Sequence, residues 1–141
     1  MAEIRAITIQ QPWAWAVAHG GKTIENRNWG LAYRGPIAIH AGLTWSEDGG
    51  RDARVLNALR GTDALTQTGL ARGAVVALAD LVDEHPDAGC CRPWGQPGEH
   101  HLVLANVRPL GEPLPCRGAL GLWQLPTAIA DRLTAGGGDR G

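Results

Sequence analysis

The apolar residues of this chain come in short runs set between segments rich in glycine and proline, and that punctuation restricts the fold more than any other feature. The runs centre on Pro36-Ile37-Ala38-Ile39, Ala74-Val75-Val76-Ala77-Leu78, Leu102-Val103-Leu104 and Leu120-Gly121-Leu122-Trp123. Each has the length of a strand, and none approaches the ~18 apolar residues of a membrane span. With 20 Gly and 9 Pro in 141 residues the breaks are frequent, yet a chain of this length still buries a core without metal or disulfide help.

Read in order, 4–9 alternates as a first strand. Pro12 suits the first position of a helix running to His19, and Gly20-Gly21 ends it as a C-cap would. Strands are expected at 23–28 and 35–41. Thr44-Trp45-Ser46-Glu47 has the form of a capping box, with helical spacing following in Val55, Leu56 and Leu59. A polar connection over 62–72 leads to a buried strand at 73–82. The segment 83–99 holds Pro86, Pro93, Pro97, Gly89, Gly95 and Gly98 and reads as a long loop. A strand at 102–107, a proline-rich turn at 109–115 and a last strand at 119–125 follow, then a short helix over 127–133. The expected architecture is α+β, a small β-barrel or curled sheet of about six strands with two or three short helices. Residues 1–134 are expected as a single domain and 135–141 as a disordered tail.

The net charge is −1 and the pI near 6.5, which argues against a surface that coats nucleic acid through many phosphate contacts. Recognition of a single base or nucleoside stays open. Six Trp, one Tyr and no Phe mean that several indoles must fill core space. The first residues carry no signal pattern, and the three cysteines form neither an even disulfide set nor a CxxC pair. A cytoplasmic chain without membrane contact or cofactor is the expectation.

Chemistry concentrates in 20–40. Gly20-Gly21-Lys22-Thr23-Ile24-Glu25-Asn26-Arg27-Asn28-Trp29 and Tyr33-Arg34-Gly35-Pro36-Ile37-Ala38-Ile39-His40 pack cations, a carboxylate, an amide and aromatics together. Lys22, Arg27 and Arg34 against Glu25 leave this stretch positive within a near-neutral chain. Glu25 and Arg27 share a strand face if the strand is regular, provided Lys22 lies on the turn before it. Such a set suits a flat, polar, π-rich ligand, with Glu25 accepting from an exocyclic amine and Arg27 donating to a carbonyl or phosphate. The plainer reading is an internal Glu–Arg pair closing the mouth of the barrel.

Gln11-Pro12-Trp13, Gly-x-Lys-x-x-Glu-x-Arg from Gly20 to Arg27, and Tyr-Arg-Gly-Pro…His from Tyr33 to His40 together resemble an ASCH domain. The resemblance continues through Arg72-Gly73-Ala74-Val75-Val76 and Arg117-Gly118-Ala119-Leu120-Gly121-Leu122-Trp123 and so covers about residues 4–125. It implies a PUA-like β-barrel with a cleft between the first helix and the barrel mouth, where RNA or a nucleotide binds. Some small relatives hydrolyse N4-acetylcytidine with a Lys in this position and a Thr three residues on. Lys22 is present here, but Glu25 stands in place of that Thr. An amide-cleaving lysine must be partly neutral, whereas a carboxylate nearby favours the charged form.

The expected ligand-facing set is Gln11, Trp13, Lys22, Glu25, Arg27, Trp29, Tyr33, Arg34 and His40, with RNA, single-stranded nucleic acid or a nucleoside as partner. In the enzymatic alternative Lys22 and Glu25 are catalytic. A third reading is a protein partner docking on the 83–99 loop through Trp94. Gln11 serves equally well by bonding a free backbone group at the helix start, and His40 reads first as a satisfied core or rim histidine. Cys90, Cys91, His100, His101 and Cys116 offer donor atoms. Adjacent cysteines and adjacent histidines do not easily face one ion, and zinc sites favour cysteines two to four residues apart. No metal site is therefore expected, only free thiols and loop histidines.

Overall fold

The computed structural model describes residues 4–62 and 70–139. Its elements are β1 (Arg5–Gln11), α1 (Trp13–His19), β2 (Ile24–Arg27), β3 (Gly35–Trp45), α2 (Glu47–Gly50), α3 (Ala53–Leu59), β4 (Ala74–Pro86), β5 (His100–Pro115), β6 (Leu122–Gln124) and α4 (Thr127–Asp139). The strands form one sheet in the order β2-β5-β4-β3-β1-β6. Among the described residues only β1 and β3 pair in parallel, and α1 with β2 provides the crossover that such a pair demands.

The near-continuous apolar runs are explained by a sheet buried on both faces. Ile7, Ile9, Ile37, Ile39, Leu81 and Leu102 face one way and pack with Ala14 and Val17 of α1. Ala6, Ala38, Val75 and Leu114 face the other way, against Leu133 of α4. A third cluster seats Val55 and Leu59 of α3 on Ala16 of α1. The α+β character and six strands match the expectation. The sheet curls without closing: β2 and β6 are its edges, and a side chain spans the gap, with Arg27 donating to the Thr8 carbonyl at 2.9 Å.

Several elements differ from expectation. Thr44 lies inside β3 rather than capping a helix. Ser46 caps α2 by accepting from the Gly49 amide at 3.1 Å, and Asp52 caps α3. The strand expected to stop at 82 continues to Pro86, so the long loop is 87–99. The 109–115 turn is the far half of β5. Prolines fit there because β2 pairs only with residues 100–103, which leaves the outer edge of β5 without a strand neighbour among the described residues. Three register shifts against β4, with Asn106 at φ 52°, let β5 bend. Helix α4 runs past 133 to Asp139, and so through most of the expected tail. Most of the 62–72 connection lies outside the described residues. Among the described residues no helix is long and apolar enough to cross a membrane.

Candidate functional site: a cleft around a buried ion triad

The end of α1 delivers Lys22 to its place. The Gly20 and Lys22 amides both bond the Ala16 carbonyl, at 2.8 and 3.1 Å, and Gly21 supplies the left-handed turn between them at φ 77°. Lys22 is thereby only 3% exposed. Its ammonium donates to Glu25 Oε1 at 3.1 Å and to the Ile24 carbonyl. The second carboxylate oxygen accepts from Arg27 Nε at 3.0 Å and lies 2.9 Å from Arg27 Nη2. Glu25 is thus clamped between two cations, each lying within 6 Å of an indole: Lys22 is 5.5 Å from the Trp13 ring centre and Arg27 5.8 Å from that of Trp29.

Two hollows that share lining residues open beside this triad. The larger, about 660 Å³, is lined by Thr8, Gln10, Trp13, Glu25, Arg27 and Trp29 together with Leu43 and Leu120. The smaller, about 120 Å³, shares Trp13, Glu25, Asn26 and Glu99 and adds Lys22, Arg54, Trp94 and Gln96. Asn26 fastens the outer wall, donating to the Trp94 carbonyl at 3.0 Å and accepting from the Gln96 amide at 2.8 Å. Arg54 lies 4.2 Å from the Trp94 ring centre and is held by Asp52 at 2.6 Å. The Arg54 guanidinium keeps the Asp52 carboxyl below its ordinary value, against the opposing effect of burial.

The nine expected site residues divide. Trp13, Lys22, Glu25, Arg27 and Trp29 converge on the hollows. Gln11 is buried and uses both ends of its amide internally, accepting from the Trp15 amide and donating to the Ala71 carbonyl, each at 2.8 Å. Tyr33 donates to the Pro36 carbonyl at 2.6 Å, and Arg34 binds carbonyls of its own turn and the Asp83 carboxylate. His40 is buried between Thr8 Oγ1 and the Cys116 carbonyl, at 3.2 and 2.6 Å, with Trp123 against its ring. Trp94, expected on a partner-facing loop, is half-buried beneath Arg54. Thr8, Asn26, Arg54 and Glu99 line the hollows without having been singled out. The alternation of Ile7, Thr8, Ile9 and Gln10 carried a signal for Thr8, whereas Arg54 had none because α3 reaches the site only through tertiary packing.

The sulfur and histidine donors also divide. His100 bonds Glu84 at 2.5 Å, and Cys116 lies by His40. Cys90, Cys91 and His101 do converge, contrary to the spacing argument, and they meet His85, a donor that spacing did not bring forward. Adjacent cysteines can point the same way here because Cys91 takes a left-handed backbone, φ 68°.

A model of the ASCH domain matches residues 7–110. No curated protein matches the chain. Among solved structures it is similar to the ASCH protein of Zymomonas mobilis, at 15% identity over 94% of each chain with a TM-score of 0.56. A tyrosine-to-phenylalanine variant of that protein is similar at 14% identity, covering 95% of this chain and 98% of the other with a TM-score of 0.57.

Proposed function

Since the chain belongs to the ASCH domain family, we propose that it binds RNA or a modified nucleotide, placing one base in the small recess and the rest of the ligand along the larger cleft. The observation that carries this reading is the pairing of an aromatic-walled recess, between Trp13 and Trp94, with a cleft whose rim stacks Arg27 near Trp29. Flat rings are held by such walls through stacking, whatever their sequence. Glu99 lines both hollows, and in this reading its carboxylate accepts from an exocyclic amine. Glu25, with both oxygens engaged, shapes the recess rather than reading the base.

Titration with short single-stranded RNAs and with nucleosides tests this. Replacing Trp94 by Ala removes a stack worth about 1–3 kcal/mol, or about 5- to 150-fold in affinity. Equal affinity of wild type and Trp94→Ala, or no binding at low salt, rules the reading out.

One observation supports a second reading: Lys22 and Glu25 face the same recess, as an amidohydrolase of N4-acetylcytidine would need. The engagement of Lys22 with a carboxylate and a carbonyl favours recognition over attack. Incubation with N4-acetylcytidine decides the matter, and turnover that is lost in Lys22→Ala would establish the enzyme.

A further inference from the structure

The hairpin between β4 and β5 gathers four metal-donor side chains at one point. His85 and His101 are direct cross-strand partners, with rings edge to face and centroids 5.5 Å apart. The intervening loop brings in Cys90 and Cys91, whose sulfurs lie 3.1 Å apart. His85 Nε2 is 3.5 Å from the Cys91 sulfur and 3.9 Å from that of Cys90. All four donor atoms lie within 4.8 Å of one another. Ligands around a tetrahedral zinc stand about 3.3–3.8 Å apart, given Zn–N near 2.0 Å and Zn–S near 2.3 Å. Side-chain shifts of about 1 Å would reach that geometry.

His101 decides the matter. Its side chain is fully buried, 0% exposed. Its Nε2 lies 2.8 Å from the Gln96 carbonyl, which can only accept, so this nitrogen carries the proton. In the neutral ring that leaves Nδ1 as a lone pair, buried and without a hydrogen-bond partner. Such an orphan is costly, and a cation would satisfy it. His85 repeats the pattern, with Nδ1 donating to the Pro86 carbonyl at 2.9 Å and Nε2 turned to the thiols. Metal-bound histidines commonly commit the second ring nitrogen in this way.

We propose that His85, Cys90, Cys91 and His101 form a closed Cys2His2 site for one tetrahedral, thiophilic divalent cation, with zinc the best match. Binding forms four coordinate bonds and releases the two thiol protons, while the histidines enter neutral. The loop backbone is held close to the donors. A Cβ on Gly95 would meet Cys91 Cβ and His101 Cε1 at 2.8 Å. Arg92 donates to the Cys90 and Gly95 carbonyls at 2.6 and 2.8 Å. With four protein ligands the ion has no open position, so its role is to brace the loop.

The full chain, purified without chelator from zinc-supplemented medium, should hold one equivalent of zinc by elemental mass spectrometry. Cobalt added to the stripped protein should give the visible bands of a tetrahedral site with thiolate charge transfer. Cys91→Ser and His85→Gln should each weaken zinc binding at least about 10-fold in competition with a chromophoric chelator, while Cys116→Ser should leave it unchanged. No stoichiometric metal together with no cobalt spectrum would overturn the site. So would undiminished affinity in Cys91→Ser, or a Cys90–Cys91 disulfide persisting in reduced protein. The cobalt spectrum is read on wild type, so a variant that fails to fold leaves the test intact.

Discussion

Glu25 holds the cleft together, because both of its oxygens are engaged by cations that would otherwise face each other. Removing the carboxylate and removing one cation are therefore unequal changes. Glu25→Gln leaves Lys22 and Arg27 opposed in a poorly hydrated pocket and should cost about 3 kcal/mol, the low end for a broken buried pair because Arg27 keeps 21% of its side chain in solvent. Lys22→Met leaves Glu25 with Arg27 and should cost no more than about half of that. Urea unfolding of the two variants checks the order, and equal losses would contradict it. This triad was largely legible in the sequence, since strand alternation places Glu25 and Arg27 on one face and Gly20-Gly21 puts Lys22 on the preceding turn. For Gln11 and His40 the sequence offered both a ligand-facing and an internal reading, and the internal one holds: Gln11 accepts from the Trp15 amide at the helix start, and His40 is a satisfied buried histidine. Their distant partners, the Ala71 and Cys116 carbonyls, lie 60 and 76 residues away, and no local pattern points to those.

Among the elements, α3 makes a pH-dependent contribution. The Asp52 carboxylate accepts from the Arg54 and Val55 amides, and the Arg54 guanidinium holds it below the ordinary 3.8. A carboxylate depressed on folding adds stability that is present above its unfolded value and is lost as pH falls through the lower folded one. Asp52→Ala should cost about 1 kcal/mol at neutral pH. Asp52→Asn keeps a capping oxygen, and its stability should fall less than wild type below pH 3.8. Thermal melts across the acid range read both effects, and parallel curves for wild type and Asp52→Asn would exclude Asp52 as the source. The strands were legible where burial on both faces wrote continuous apolar runs. The end of β4 and the proline-bearing half of β5 were hidden, because pairing to an already formed partner, with bulges absorbing the misfit, overrides local propensity. The same register decides that His85 meets His101, which no count of residues between cysteines could disclose.

For the whole molecule, a net charge of −1 and hollows that mix Glu25 and Glu99 with Lys22, Arg27 and Arg54 make a poor phosphate track. If the base is the recognised moiety, log affinity should fall with log salt at a slope no steeper than about 2, against roughly 4–7 for a single strand gripped at 6–10 phosphates. A steep slope in that titration would shift the ligand toward a polynucleotide backbone. The curled but open sheet has a further consequence through its indoles. Trp13, Trp29 and Trp94 border the two hollows, whereas Trp15, Trp45 and Trp123 line neither. With no phenylalanine and one tyrosine in the chain, its ultraviolet emission is divided between three lamps at the cavity and three half-buried ones away from it. A base entering the recess would dim the first group and leave the second as a built-in reference, so the protein carries its own unlabelled optical gauge of occupancy.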